Sequence, residues 1–194
     1  MTTGRIELGP TGRTVAANVK RLREARGLTL RALSAELKSR GRPLSADALN
    51  KIENGASEEP RQVRRVDVDD LMALAVVLGV QPNALLLPVD TEPLTEIEVT
   101  GSSARVPALI AWEWADGQTT LSAPASGHAA YQAAMLYRLH GRPHWMVELE
   151  DEEETGVADR RSRLRRVTGL ERDEATGRYR FNRRDRGDDG SGLD

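Results

Sequence analysis

Residues 28–55, LTLRALSAELKSRGRPLSADALNKIENG, decide how the N-terminal part of this chain folds. Thr29 offers a capping oxygen to a helix in which Leu30, Leu33 and Leu37 recur at three- and four-residue spacing, while small Ser34 and Ala35 permit close packing. Gly41 and Pro43 both oppose helix continuation, so residues 39–43 read as a turn. Ser45 then caps a second helix over residues 46–54, with Leu49 and Ile52 facing inward and Gly55 ending it.

Working outward, Val15, Val19 and Leu22 recur at helical spacing ahead of this stretch, and Gly27 follows as a stop. Residues 1–13 show two glycine-centred stretches and a proline with no apolar period, which predicts a flexible arm whose Arg5 and Arg13 either touch a groove or stay in solvent. Downstream, residues 56–66 form a polar loop with Arg61, Arg64 and Arg65, read either as a backbone-tracking basic group or as a solvated loop. Asp67 and Asp69 sit where carboxylates favour a helix N-terminus, Leu71, Leu74, Ala75 and Leu78 supply its core face, and Gly79 closes it. Pro82 opens a short fifth helix through Leu86, and Pro88 ends the domain. Residues 14–88 are thus expected to fold as five short helices, and the fold class as mainly α.

Leu28-Thr29-Leu30-Arg31-Ala32-Leu33 and Leu49-Asn50-Lys51-Ile52-Glu53-Asn54-Gly55 together resemble the Cro/C1-type (Xre) helix-turn-helix, and the likeness extends to residues 66–71 and 78–80. The resemblance implies a lambda-repressor-like domain that binds double-stranded DNA and regulates transcription, with the helix over 46–54 reading the major groove. It implies base contacts at Ala46, Asp47 and Lys51. Lys51 suits guanine O6 or N7, Asp47 can accept from cytosine N4, and Ala46 offers a methyl contact. Asp47 has a second reading, in which it only strengthens the helix N-terminus. Ser45 presents the helix end, Asn50 serves the DNA backbone, and the resemblance implies a phosphate contact at Asn54. It also implies that Glu53 pairs with Arg23 as a structural fork rather than meeting DNA.

The chain departs from that pattern twice. The turn over residues 38–44 is longer than the usual turn of about four residues, and the insert holds Arg40 and Arg42, expected to add phosphate contacts. The early polar residue of the first of the two helices is replaced by Leu30, so Arg31 is expected to substitute. One such helix reads few base pairs, so a homodimer on a two-fold site is expected, its association assigned to the second half of the chain.

The net charge of −2 hides an asymmetry. Residues 1–66 carry 14 Lys/Arg against 7 Asp/Glu, residues 67–157 carry 3 against 15, and residues 158–194 carry 11 against 8. A basic first third is held on phosphates by counterion release while an acidic middle is repelled. The same acidic middle supports a different reading, a protein-binding module such as an antitoxin or partner regulator.

The absence of cysteine excludes disulfides, thiolate metal sites and thiol nucleophiles. No secretory apolar segment or membrane-length apolar run is present, so a cytoplasmic, nucleoid-associated protein is expected. No phosphate loop, dinucleotide fingerprint or nucleophile turn occurs, which argues against an enzyme, and no cofactor is expected. His140 and His144 flank Gly141 and Pro143, which break the helix that would put both rings on one face, so no metal site is expected.

Residues 89–150 are expected to form a small α or α+β appendage. Residues 96–100 and 145–149 alternate like strands, and residues 107–114 and 129–139 read as helices. Trp112, Trp114, Trp145, Tyr131 and Tyr137 either form the core of this appendage or line a small-molecule effector pocket or dimer seam. The acidic block at 150–154 and the Arg-, Gly- and Asp-rich residues after it predict a charged, mostly disordered tail over 151–194.

Overall fold

Helix α1, Pro10–Ala25, begins four residues before the expected Thr14. Its first turn is polar and carries no apolar period, but Pro10 lacks only an N–H that no helix start would use. Arg13, expected in a free arm, therefore lies on the helix, where its guanidinium donates to the Leu8 carbonyl at 2.7 Å. These are features of a computed structural model that describes residues 7–57, 62–122 and 128–143, together with the backbone of residues 170–172 and 179–181. It falls into two compact units, Met1–Ala134 and Met135–Asp194.

The first unit is mainly helical. After α1 come α2 (Leu30–Ser39), α3 (Ala46–Glu53), a single 3-10 turn (Asn54–Ala56), α4 (Val68–Leu78) and α5 (Asn83–Leu86). The caps explain the boundaries. Thr29 accepts from the Ala32 N–H, Ser45 from that of Ala48 and Asp67 from that of Asp70, each satisfying a donor that the helix leaves open. Gly79 closes α4 with a left-handed φ of +67°, a conformation a side chain disfavours. The helix over 46–54 ends one residue early, because Asn54 already belongs to the 3-10 turn that carries the chain through buried Gly55.

Val15 and Val19 of α1, Leu33 and Leu37 of α2, Leu49 and Ile52 of α3, Leu74 and Leu78 of α4 and Leu85 of α5 make one apolar core. Leu44, from the long turn, is buried with them, and its carbonyl accepts from the Ser34 hydroxyl at 2.5 Å. A buried polar group ties the ends of this layer together. Asn18 donates to the carbonyls of Leu85 at 3.2 Å and Leu87 at 2.9 Å, so the chain leaving α5 is fastened to α1.

A second apolar cluster follows directly. Strands β1 (Glu96–Ile97) and β2 (Val106–Pro107) pair antiparallel, with Ile97 opposite Val106, and α6 (Ala108–Ala115) packs Ala108 and Ala111 against Leu87, Ile97, Val99 and Val106. Only two residues of the expected strand at 96–100 enter the sheet, and β2 was not legible from alternation because it is two residues long. Trp112 and Trp114 pack at the edge of this cluster, and the Trp112 indole donates to the Pro88 carbonyl at 3.0 Å. Reciprocal bonds join it to α1: the Thr11 N–H donates to the Thr100 hydroxyl oxygen, and the Thr100 N–H to that of Thr11. Pro88 therefore marks a change of core inside one unit.

Helix α7, His128–Gly141, spans the point where the two units divide and buries none of its residues. Within the second unit, β3 (Leu170–Arg172) and β4 (Tyr179–Phe181) pair antiparallel in the register Leu170 with Phe181 and Arg172 with Tyr179. This hairpin lies in the segment expected to be mostly disordered, and a two-stranded ribbon of this length is marginally stable on its own. Trp145, His144, the expected strand at 145–149 and the acidic block at 150–154 lie outside the described residues. No helix among the described residues is long and apolar enough to cross a membrane.

Candidate nucleic-acid interface

Helix α3 is short, and its two faces differ. Leu49 and Ile52 are buried, while Asp47 and Asn50 are exposed and Ala46 and Lys51 half-buried. Ser45, which caps it, is itself exposed, so the first turn of α3 with its remaining N–H groups stands at the surface. Lys51 reaches back one turn to Asp47, Nζ to Oδ2 at 2.8 Å, an exposed i,i+4 pair that contributes little to stability and is readily exchanged for another partner. Asn54 is half-buried at the C-terminal end.

The orientation of α3 is held from behind. Glu53 is 8% exposed and faces α1, where Arg23 donates to it through Nε at 2.6 Å and Nη2 at 2.8 Å. Arg23 also donates to the Leu28 carbonyl at 2.9 Å, so one guanidinium joins α1, the start of α2 and the end of α3. The hydrogen bond to Glu53, reinforced by that carboxylate's charge, raises the Arg23 pKa further above its ordinary value. The structure thus brings Arg23 and Glu53 together as a bidentate fork, away from the exposed face of α3.

The insert between α2 and α3 separates its two arginines. Arg40 is exposed at the end of α2, as is Arg31 near its start, and neither has an ion-pair partner among the described residues. Arg42, expected to reach a phosphate, is turned the other way. Its Nε donates to Asp70 Oδ1 at 2.7 Å and its Nη2 to Asp67 Oδ2 at 2.8 Å, with Asp69 further off at 3.8 Å. Asp70 has no exposed surface, and a buried carboxylate must be matched by charge and hydrogen bonds, so it claims Arg42. Arg64 completes the match, Nη2 to Asp70 Oδ2 at 2.8 Å, which also removes that arginine from the basic group expected ahead of α4. Arg65 is exposed and donates to the Glu7 carbonyl at 3.1 Å, and Arg61 lies outside the described residues.

The cluster of Arg42, Asp70 and Arg64 was missed by sequence reasoning, although a signal existed. Extending the buried stripe of α4, Leu78 and Leu74, back by four residues lands on Asp70, so the same periodicity that identifies the core face places a carboxylate on it. The Asp70 backbone N–H holds the Asp67 carboxyl below its ordinary pKa of 3.8, and the Arg42 charge acts in the same sense.

Chemically, the exposed side of α3 offers one carboxylate, one amide and one ammonium group, at Asp47, Asn50 and Lys51. His140 lies near the end of α7, and among the described residues no three His, Asp or Glu side chains converge as a metal-binding group.

No family model matches the chain, and no curated protein matches it. Among solved structures, a crystal structure of FeII HppE in complex with substrate is similar at 24% identity over 51% of this chain and 47% of that one, with a TM-score of 0.30. A likeness that low carries no argument about either fold or chemistry.

Proposed function

We propose that this chain is a sequence-specific double-stranded DNA-binding transcription regulator of the Cro/C1 helix-turn-helix kind, with α2, its turn and α3 as the DNA-binding element and two copies acting on a two-fold site. The observation that carries this reading is the presentation of α3: a capped, exposed first turn with Asp47, Asn50 and Lys51 at the surface, on a helix braced from behind by the Arg23–Glu53 fork. A helix so held offers about one turn of side chains to a major groove. Lys51 gives the recognition of guanine, Asp47 that of cytosine, Ala46 a methyl contact, and Ser45, Asn50 and Asn54 positioning on the backbone. Arg31 and Arg40 supply phosphate contacts; Arg42 is withdrawn from that set by Asp70.

The test is selection of bound sequences from a random duplex pool at near-physiological salt, with the full-length chain. A two-fold enriched motif is expected. Lys51→Ala should then cost about 1–3 kcal/mol on the matched site and relax preference at one position of each half-site. Salt-sensitive background binding with no enriched motif would overturn the reading in favour of a partner-binding module.

A further inference from the structure

Helix α4 is apolar nearly all round, a pattern expected of a helix covered on every side. Among the described residues it is not so covered. Val68, Met72 and Val76 are 78%, 52% and 57% exposed. Spaced by four, they form a continuous outward stripe about 12 Å long at 1.5 Å per residue, not scattered surface apolars.

Two properties of this stripe say what covers it. It is a palindrome: Val, Met, Val at equal spacing, so that turning a second α4 about a two-fold axis at Met72 sets Val68 against Val76 and Met72 against Met72. Its ends also differ in charge. The N-terminal end bears Asp69, whose exposed carboxylate has, among the described residues, one ion-pair contact, with Arg42 at 3.8 Å. The C-terminal end bears Arg26, exposed, its Nη1 held at 2.7 Å by the Val77 carbonyl and seated beside Gly79. Antiparallel pairing brings each Asp69 end to the other copy's Arg26 end and opposes the two helix dipoles.

We infer that the exposed face of α4 is the seam of a homodimer, formed on a second copy of this chain about a two-fold axis at Met72. The inference rests on the dimeric part of the proposed function and moves the seam from the second half of the chain, where the sequence suggested it, to the first unit. Three side chains cover less than a standard interface, so the seam is weak in solution and is completed when both copies occupy one site.

The absence of cysteine makes trapping direct. In the full-length chain, Met72→Cys places the only thiol on the axis, where facing helices bring backbones within disulfide reach. In a glutathione redox buffer it should form disulfide-linked dimer at least about tenfold faster than Lys20→Cys, an exposed position on α1 with no such symmetry. Equal rates, or faster trapping through Met135→Cys on α7, overturn the seam. By sedimentation velocity, Asp69→Arg and Arg26→Asp should each weaken the dimer by about three- to tenfold, and the double variant should return within about twofold of the parent. The double variant cannot restore the Arg26 bond to Val77, so recovery reports the contact between copies; a further loss overturns the seam. Trapping at Met72 with no enriched two-fold DNA motif would sink the DNA reading and leave the seam; an enriched motif without trapping would do the reverse.

Discussion

Asp70 is the residue around which the α2–α3 turn is organised. Arg42 comes to it from the turn and Arg64 from the loop before α4, so two partly exposed cations neutralise one carboxylate that has lost its water. Asp70→Asn keeps the shape but removes the charge that both guanidiniums answer. It should lower the unfolding free energy by about 2 kcal/mol in urea titrations. No change in the midpoint would mean that the cluster is incidental. Asp67, next to it, has a depressed pKa, so it contributes stability above its ordinary 3.8 and loses that contribution as pH falls through its lower folded-state value. Asp67→Ser retains a capping oxygen without a titrating group. Melting temperatures followed downward in pH should therefore fall less steeply for Asp67→Ser below 3.8 than for the parent; parallel curves would exclude Asp67 as the source.

At the scale of the element, α3 shows how cap, core face and brace divide the work. Eight residues are too few for a helix to persist alone, so Leu49, Ile52 and the fork at Glu53 supply the stability that propensity cannot. Ser45→Ala removes the acceptor for the Ala48 N–H and should cost about 1 kcal/mol by thermal melting, with a larger proportional loss of DNA affinity if, as proposed, the frayed turn is the one that enters the groove. Equal losses of affinity and stability would place the reading surface elsewhere. The turn before α3 is tuned by Gly41, whose φ of +83° lets the chain reverse so that Arg40 stays outside while Arg42 swings to α4. Two arginines with one residue between them thus take different roles. Arg40→Ala should reduce the salt dependence of DNA binding by about one phosphate contact, uniformly across sequences.

On the scale of the whole molecule, the two apolar clusters of the first unit lean on each other. Asn83 of α5 donates to the Ala115 carbonyl and to the Asp116 carboxylate, both at 2.9 Å, and Thr11 and Thr100 exchange bonds across the same junction. A fragment ending at residue 88 should therefore melt at least about 5 °C below one ending at residue 122, because Leu87 loses its cover and Asn18 holds a loose end. Indistinguishable melting temperatures would show that the five helices stand alone. The charge asymmetry belongs to this scale too. On the proposed function, the basic charge of residues 1–66 should speed association with duplex DNA, and that gain should weaken as salt screens it.

Much of this molecule follows from local pattern. The stripes of Leu33 and Leu37, of Leu49 and Ile52, and of Leu74 and Leu78, with caps at Thr29, Ser45 and Asp67 and a stop at Gly79, determine the helices and their inward faces, because cap chemistry and helical periodicity act within a few residues. The start of α1 escaped that logic for want of an apolar residue in its first turn, and β2 because two residues have no period. What the tertiary structure alone decided was the fate of charge. Arg40, Arg42 and Arg64 are alike in sequence, and only the burial of Asp70 separates those that are bound inside from the one left at the surface. The open stripe of α4 is of the same kind: periodicity says that Val68, Met72 and Val76 share a face, but whether another element covers that face depends on packing between segments distant in the chain.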